Sequence, residues 1–499
     1  MNRSTFGGLK QDGALRVIFL AVLLILLSEF SHADAQTLTR LWSFTVVYGF
    51  FPTNGTNPYA TLVEGKDGYF YGTTRYGGPA NYGTVFRIGP GGDLTNLYCF
   101  SPSKRDGINP DEGLVQGSDS NFYGTTANGG TNHVGVVYRI SPSGSFTNLH
   151  TFSYSVGPGS DGFNPNAILS QGSDGNFYGT TAKGGASTNC PFGCGTIFRI
   201  SPTGNLTNLY SFNGSDGQGA SGKLFLSTDG SFYGTTAYGG VSNLGTVFRF
   251  SPNGGFENLY SFKGPDGAIP IFAGLVLGRD GNFYGTTSLG GASNTGTVFR
   301  ITASGTLTTL YSFTGGSDGA NPEASLVQGS DGNFYGTAYQ GGNTNFTLYV
   351  PGYGTLFQIT PTGSLTTVHL FNGDDGLQPA AGLVQGSDGS FYGTTVGGYT
   401  NAPPVGYATW GTVFKWTVPL NPPANQISEA HISGTDAVLS IPSVAAETYQ
   451  LQFTTDLTSG LWSNIAGASV TNGIGALLTV TNFGGAVGPQ GFYRFDITP

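Results

Sequence analysis

The residues of this chain that could do chemistry recur at fixed positions. Acids occupy a turn before each copy of a Phe-Tyr-Gly-Thr-Thr pentapeptide and the link between successive copies, and a cation follows downstream. Paired carboxylates can hydrolyse glycosidic bonds, and arginines can clamp anions. The turn acids are Asp67, Asp119, Asp174, Asp229, Asp280, Asp331 and Asp388, the link acids are Asp106, Asp161, Asp216, Asp266, Asp318 and Asp375, and the cations are Arg87, Arg139, Arg199, Arg249, Arg300 and Lys415.

Repetition favours a structural role for these charges, because catalysis usually needs a unique set. An acid in every copy of a turn is expected to bond the local backbone. We predict that each cation bonds the turn acid or nearby carbonyl groups, and a substrate-binding ring of arginines is the alternative. The mature histidines, His133, His150, His369 and His431, lack metal-ligand spacing, and no Gly-x-Ser-x-Gly motif has assignable partners. We assign no catalytic residue, and expect no metal and no cofactor.

The pentapeptide recurs seven times and predicts a ring of β-sheets. Its Tyr residues stand at steps of about 51 to 57 residues, which is typical of propeller blades. Each repeat reads as four strands, A to D, joined mostly by tight turns, and the long link between repeats reads as the crossover between blades. The Tyr residues are Tyr71, Tyr123, Tyr178, Tyr233, Tyr284, Tyr335 and Tyr392.

The two ends of the repeat array predict how the ring closes. A strand of D type appears at residues 38–44, before any A strand, and the seventh repeat stops after its C strand at residues 411–416. We therefore expect these two segments to pair, which would remove two exposed sheet edges. The predicted fold is all-β: a seven-bladed β-propeller closed by an N-terminal strand and followed by a small C-terminal β-sandwich.

The repeat resembles that of bacterial choice-of-anchor proteins with tandem GloVer repeats. The resemblance covers residues 38–416 and is carried by the units L-x-x-L-Y-S-F, D-G-x-N-P, L-V-Q-G-S-D-G-N-F-Y-G-T-T and G-G-x-x-x-x-G-T-V-F-R-I. It implies an exported, propeller-like protein and no particular activity. Members typically end in a surface anchor. This chain ends in Asp-Ile-Thr-Pro without an apolar run or basic cluster, so covalent attachment is not expected.

The chain start and the composition indicate export. Arg3, Lys10 and Arg16 precede an apolar run at residues 17–27 and an Ala-Asp-Ala cleavage site, which predicts a signal peptide and a secreted or cell-surface protein. The run is too short to span a bilayer, so no transmembrane anchor is expected in the mature chain. With 9% charged residues, a net charge of -9 and no basic stripe, the chain is not expected to bind nucleic acid. Cys190 and Cys194 are predicted to form a disulfide.

These observations predict four segments. They are a signal peptide at residues 1–35, the propeller at 36–417, a Pro-rich linker at 418–426, and a β-sandwich accessory domain at 427–499.

The loops between strands B and C differ most among repeats, and they carry the candidate ligand site. Aromatic residues there could form a platform for a sugar on one face of the ring, and loops that pack on one another are the alternative. The candidates are Phe346, Tyr349, Tyr353, Tyr399, Tyr407, Trp410, Tyr76 and Tyr82. We expect a non-enzymatic protein that binds a glycan or a surface protein. A polysaccharide hydrolase or lyase and a purely structural surface protein are the alternatives, and a deep axial pocket lined by non-repeated charged residues would favour the enzyme.

Overall fold

The computed structural model describes residues 37–45, 53–253, 255–343, 352–400 and 407–417, and six strands after residue 428. The predicted signal peptide and linker lie outside these residues. Residues Leu38–Thr417 form one compact unit, and the C-terminal strands belong to another. In the described part of the chain, the one helical segment is a 3-10 turn, Pro102–Lys104, and no helix is long and apolar enough to cross a membrane.

The larger unit is a seven-bladed β-propeller, as the sequence predicts. Each blade is an antiparallel sheet whose strands follow the order A, B, C, D. In that order, the strands are Val63–Glu64, Phe70–Thr74, Thr84–Ile88 and Leu94–Cys99 in blade 1; Val115–Gln116, Phe122–Thr126, Val136–Ile140 and Phe146–Thr151 in blade 2; Ser170–Gln171, Phe177–Lys183, Thr196–Ile200 and Leu206–Ser211 in blade 3; Phe225–Leu226, Phe232–Thr236, Thr246–Ser251 and Gly255–Ser261 in blade 4; Val276–Leu277, Phe283–Thr287, Thr297–Ile301 and Leu307–Ser312 in blade 5; Val327–Gln328, Phe334–Ala338, Thr355–Ile359 and Leu365–Leu370 in blade 6; and Val384–Gln385, Phe391–Thr395 and Tyr407–Thr417 in blade 7.

The N-terminal strand closes the ring, which confirms the expected pairing. Thr37–Thr45 pairs with Tyr407–Thr417 and takes the D position of blade 7. Its Phe44 is 1% exposed and packs edge-on against Phe86 of blade 1, with ring centroids 5.6 Å apart. In blades 1 to 6, the Phe at the end of strand D makes the same contact with an aromatic ring on strand C of the next blade. The chain start therefore supplies the interface that the seventh repeat lacks.

The aromatic residues of the pentapeptide bind neighbouring blades to one another. The Phe ring of each copy packs against the Tyr ring of the preceding copy at centroid distances of 3.9–4.5 Å, and the series closes where Phe70 stacks on Tyr392. Aromatic pairs contribute about 0.5–1.5 kcal/mol each beyond their buried area. Seven such contacts account for the presence of both rings in every repeat.

The remaining three pentapeptide residues also have structural contacts. A Cβ at Gly72 would lie 2.7 Å from side-chain atoms of Leu62 and Phe86, so only glycine fits. The first Thr of each copy donates a hydrogen bond to a backbone oxygen of the next blade, as Thr73 does to Glu112. The second Thr shares a buried hydrogen bond with a strand-C Thr in five blades. The most repeated sequence therefore serves the fold.

Smaller strands extend three of the crossover and loop regions. Phe163–Pro165 adds to blade 3, Gly398–Thr400 pairs with strand C of blade 7, and Gly107–Ile108 pairs with Asn128–Gly129.

The C-terminal unit contains two antiparallel sheets of three strands each. The first sheet is formed by Glu429–Ser433, Asp436–Pro442 and Leu477–Asn482, and the second by Ser463–Val470, Thr448–Thr454 and Phe492–Thr498. Two short sheets are compatible with the predicted β-sandwich. Face-to-face packing of the two sheets stays a prediction.

Candidate functional site

The repeated turn acids accept hydrogen bonds from the pentapeptide Tyr. In six blades, the Tyr hydroxyl donates to the Asp four residues earlier at 2.7–3.0 Å, as Tyr71 does to Asp67. Burial would raise the pKa of Asp119, but hydrogen bonds from Asn121 and Tyr123 outweigh it and hold that pKa below its usual value. These carboxylates thus act as hydrogen-bond acceptors inside a turn.

The link acids bond the D strand in an equivalent way. A D-strand Tyr donates to the link Asp in four blades, as Tyr311 does to Asp318 at 3.1 Å. His150 and His369 take the place of this Tyr and contact Asp161 and Asp375 at 2.9 and 2.8 Å. Both histidines therefore substitute for a structural donor.

The strand-C cations lie beside the turn acids. Arg249 and Lys415 form ion pairs of 2.8 and 2.7 Å with the turn Asp of their own blades, Asp229 and Asp388. Gln358, at the same position in blade 6, donates to its turn Asp at 3.2 Å. Arg87 instead lies over the ring of Tyr69 at 4.8 Å. Burial opposes a lowered pKa of the turn Asp in blades 2, 3 and 5, but hydrogen bonds from neighbouring Asn and Tyr residues lower it, with a smaller contribution from Arg139, Arg199 and Arg300. The repeated cations therefore have local partners.

Cys190 and Cys194 form a disulfide in the B–C loop of blade 3. The Cys194 carbonyl oxygen accepts a hydrogen bond from the backbone N–H of Gly219 at 3.1 Å. The disulfide therefore holds this loop beside the crossover that enters blade 4.

The structure describes the side chains of four members of the predicted aromatic platform. Trp410 and Tyr76 are exposed, at 44% and 38%, whereas Tyr82 packs against the core of blades 1 and 2. Tyr353 is 6% exposed, which contradicts the expectation of a surface position. Phe346 and Tyr349 lie outside the described residues, as do the side chains of Tyr399 and Tyr407.

The backbones of Trp410 and Tyr76 both bond the segment Thr56–Asn57, where blades 7 and 1 adjoin. The backbone of Asn57 makes two hydrogen bonds at this point. Its N–H donates to the Trp410 carbonyl oxygen at 2.6 Å, and its carbonyl oxygen accepts from the Arg75 N–H at 3.0 Å. Its side-chain amide also donates to Val396 of blade 7 at 3.0 Å. Two exposed aromatic residues from blades 7 and 1 are thereby attached to one short segment.

A charged cluster that the sequence analysis missed adjoins these aromatic residues. The Arg75 Nε lies 3.4 Å from the Asp111 Oδ1, and its guanidinium lies 5.3 and 5.4 Å from the ring centroids of Tyr59 and Tyr76. Both facing atoms are buried and lack a well-formed hydrogen bond among the described residues. The two atoms therefore form an ion pair without an additional hydrogen bond.

Local structure explains how Arg75 and Asp111 come together. Arg75 directly follows the two threonines of blade 1, and Asp111 follows the Asn-Pro pair of the next crossover. Asn109 adopts a left-handed φ of 54°, and its side-chain amide donates to the Arg75 carbonyl oxygen at 2.9 Å. This contact fixes the end of the crossover against the end of strand B.

The cluster extends to blade 6 and therefore lies at the axis of the ring. Tyr59 and Arg75 belong to blade 1, whereas Glu323 and Tyr339 belong to blade 6, and blade 7 separates the two. Glu323 is nevertheless within electrostatic range of both Tyr59 and Tyr339. Side chains of non-adjacent blades approach one another only around the axis. We call Tyr59, Arg75, Asp111, Glu112, Glu323 and Tyr339 the axial cluster.

Burial shifts the titration of the axial acids toward neutral pH. It raises the pKa of Asp111 to about 6, against the opposing attraction of Arg75. It also raises the pKa of Glu323 to about 7. The pKa of Glu112 rises to about 8, because its burial is reinforced by the neighbouring charge of Asp111. Acids whose pKa values are raised in this way are candidates for a functional site.

The face that carries this cluster is the one with the B–C loops and crossovers. Arg75 and Tyr339 follow the B strands, and Tyr59, Asp111 and Glu323 precede the A strands. The sequence contains a signal for this cluster, because Arg75 departs from the residue that other repeats have at its position. Position 75 is Ala in the second, third and fourth repeats, and a comparison of equivalent positions identifies the charged exceptions.

The described residues offer no metal-binding set. No three His, Cys, Asp or Glu side chains among them converge as ligands. The axial cluster combines two unpaired acids, one ion pair and aromatic rings, a composition suited to a polar organic ligand.

Comparisons with known proteins establish the family. The propellers that resemble this one include the periplasmic gluconolactonase PpgL of Pseudomonas aeruginosa, at a TM-score of 0.40 and 16% identity, which covers 85% of this chain and 98% of that chain. Another is a gluconolactonase from Xanthomonas campestris, at a TM-score of 0.38 and 14% identity, covering 68% of this chain and 93% of that chain. At this level of similarity, neither substrate nor reaction transfers to this chain. No curated protein matches it. The profile of the Gloeobacter/Verrucomicrobia repeat matches residues 35–191 and 154–350, and the chain therefore belongs to that repeat family.

Proposed function

We propose that this protein is an exported binding propeller that holds a carbohydrate at the axial end of its crossover face. The observation that carries the proposal is the axial cluster, in which Arg75, Asp111 and Glu323 break the repeat at one end of the axis. The repeated residues have structural roles. In this single-copy set, in contrast, polar atoms of Arg75 and Asp111 have no hydrogen-bond partner among the described residues. Polar groups that converge beside aromatic rings are the usual composition of a small-ligand site.

Exposed aromatic residues next to the cluster support a sugar as the ligand. Tyr76 and Trp410 present rings beside the segment that carries Tyr59. A flat apolar ring beside hydroxyl-binding carboxylates and a guanidinium matches the mixed character of a pyranose. Export is proposed from the N-terminal pattern of basic, apolar and small residues and from the disulfide.

A pair of equivalent tyrosines supplies a matched test. Tyr76 and Tyr238 occupy the same repeat position in blades 1 and 4 and are 38% and 41% exposed. The mature chain, expressed from Gln36, is screened on a glycan array beside Tyr76→Ala and Tyr238→Ala variants. We expect Tyr76→Ala to lose the glycan signal and Tyr238→Ala to keep it. Equal signals from all three proteins would refute the axial location, and a folded chain that retains no glycan would favour a structural surface protein.

A polysaccharide hydrolase is the second candidate, and the raised pKa values of the axial acids favour it. General acid catalysis needs a carboxyl group that stays protonated near the working pH, and the pKa of Glu323 at about 7 meets that condition. The assay is release of reducing ends from a retained polysaccharide at pH 6. Product formation that disappears in Glu323→Gln, with binding preserved, would establish the enzyme. Intact polysaccharide after prolonged incubation would leave the binding role.

A further inference from the structure

We propose that blade 3 carries a second binding surface, formed by Tyr154, Lys183 and Phe192, and that this surface takes a polysaccharide of uronic acids. We call these three residues the blade 3 surface. The inference goes beyond the proposed function, because the surface shares no residue with the axial cluster and has its own ligand class.

Two insertions into the repeat supply the surface. The B–C loop of blade 3 spans residues 182–195, whereas its counterpart in blade 4 spans residues 237–245. The crossover that enters blade 3 is also long, at residues 153–161, and the crossover that enters blade 4 covers residues 213–216. Neither added length is needed to build a blade, because blade 4 has the same four strands without it.

The two insertions bond to one short segment at the end of strand B. The Gly157 N–H of the crossover donates to the Gly185 carbonyl oxygen at 2.9 Å, and the Gly184 N–H donates to the Phe192 carbonyl oxygen of the loop at 2.7 Å. A Cβ on Gly184 would lie 3.0 Å from the Phe163 ring, which belongs to the crossover side. The structure therefore brings together two segments that the sequence lengthens independently.

Each insertion exposes one aromatic ring. Tyr154 and Phe192 are 62% and 57% exposed, the largest values for aromatic side chains in the described part of the chain. The Tyr154 ring packs on the buried ring of Phe163, with centroids 4.9 Å apart, and the Cys190–Cys194 disulfide encloses Phe192. Rings that are already held in place lose little freedom when a ligand binds.

Lys183 adds a positive charge to the same place. It is exposed, and its Nζ lies 5.6 Å from the Phe192 ring centroid. It forms no ion pair with any residue that the structure describes. The acid of the neighbouring crossover, Asp161, is already bonded to His150 and Ser153, each at 2.9 Å. The Lys183 ammonium group is therefore available to a ligand carboxylate.

The backbone at this place favours a sugar over a peptide. An extended peptide gains much of its affinity from main-chain hydrogen bonds to a free strand edge. The N–H and carbonyl groups of Gly184 and Gly185 are all bonded within the two insertions, so this segment has no free edge. A pyranose needs only an exposed ring for its apolar face. A uronic acid adds the carboxylate that Lys183 can pair with.

The test compares a uronic acid chain with its neutral ester. Binding of the mature chain to polygalacturonate and to its methyl-esterified counterpart of equal length is measured by titration calorimetry at pH 7. We expect Phe192→Ala and Tyr154→Ala each to weaken polygalacturonate binding about tenfold, as for one lost aromatic contact. Lys183→Gln should weaken it about two- to fivefold, the range of an exposed ion pair, and should remove the preference for the acid over the ester.

Blade 4 supplies matched controls. Tyr238 is 41% exposed in the shorter B–C loop, and Lys263 is an exposed lysine whose Nζ lies 5.5 Å from the ring centroid of Tyr260. Tyr238→Ala and Lys263→Gln should keep the affinity of the unmodified protein. Thermal melts of all five variants check that each is folded.

The outcomes separate this inference from the proposed function. Equal affinity in the unmodified protein and in folded Phe192→Ala, Tyr154→Ala and Lys183→Gln would overturn the blade 3 surface. Loss of polygalacturonate binding in Tyr76→Ala, with Phe192→Ala unchanged, would also overturn it and would support the axial site instead. Equal binding of acid and ester would overturn the uronic acid. Polyglutamate that binds as tightly as polygalacturonate would overturn the sugar in favour of an acidic peptide.

Discussion

Replacement of Phe44 by Ala tests whether the N-terminal strand closes the propeller. The Phe44 ring is 1% exposed and contacts Phe86 at 5.6 Å with an interplanar angle of 64°. Removal of a buried Phe side chain costs about 3–5 kcal/mol in a rigid core. This is a large share of the total stability of about 5–15 kcal/mol that domains possess. The strand continues into the propeller unit only at its C-terminal end, however, so it can detach before the rest unfolds.

An internal copy of the same contact provides the control. Phe313 packs on Phe357 at 5.2 Å and 67°, and the chain continues on both sides of it. We expect Phe313→Ala to lower the free energy of unfolding by the full amount of about 3–5 kcal/mol. Phe44→Ala should cost less in global unfolding, because detachment of the strand limits the loss, and should instead expose the strand-C edge of blade 7.

The assay combines urea unfolding with amide hydrogen exchange. In Phe44→Ala, exchange should accelerate selectively at residues 37–45 and 412–416, and the global urea midpoint should fall less than in Phe313→Ala. An exposed edge should also increase association at high protein concentration. The reasoning is refuted if exchange at residues 412–416 is the same in Phe44→Ala and the unmodified protein.

Three further predictions concern the turn hydrogen bonds, the axial acids and the disulfide. Tyr71→Phe should lower the free energy of unfolding by roughly 1.5–3 kcal/mol, the usual value of a hydrogen bond to a charged acceptor. Tyr233→Phe should lower it less, because Asp229 of blade 4 pairs with Arg249 and has no such bond from the Tyr hydroxyl. Similar urea midpoints for the two variants would contradict this. The Glu112 pKa is about 8 in the folded state, above its ordinary value of 4.5, so stability should be complete below pH 4.5 and decline toward pH 8, by up to about 1.4 kcal/mol per pH unit. Glu112→Gln should flatten that decline in thermal melts, and an unchanged slope would count against it. Replacement of both Cys190 and Cys194 by Ser should cost about 2 kcal/mol from loop entropy, measured by urea unfolding, and no loss would show a pre-ordered loop.

The sequence was sufficient to predict the ring and its closure. Blade number follows from counting the pentapeptide, and the pairing of the N-terminal strand follows from a D-type element that stands before any A strand. Both inferences use order along the chain, which a repeat makes explicit. The sequence also indicated that the turn acids have a structural role. It did not identify the Tyr hydroxyl as their partner, although the two lie four residues apart around one hairpin.

The axial cluster could not be predicted from order along the chain. Arg75 and Asp111 are separated by a complete strand pair and a crossover, and Glu323 lies 212 positions beyond Asp111. Their proximity depends on the closure of the ring and on the left-handed backbone at Asn109. The candidate aromatic platform was predicted only in part, because Tyr76 and Trp410 are exposed whereas Tyr353 is buried. The length of a loop does not show which of its side chains are buried.

The closed ring explains why a ligand site can occupy the axis without loss of the fold. Each blade is held to the next by a Tyr–Phe stack and a Thr hydrogen bond, and neither contact involves the residue that follows the two threonines. That position can therefore change from Ala to Arg75 in one blade without removing an inter-blade contact. Residues that precede the A strands of non-adjacent blades also come within electrostatic range there, as Tyr59 and Glu323 do. A single-copy substitution there meets other single-copy substitutions, which is the condition for a unique site in a repetitive protein.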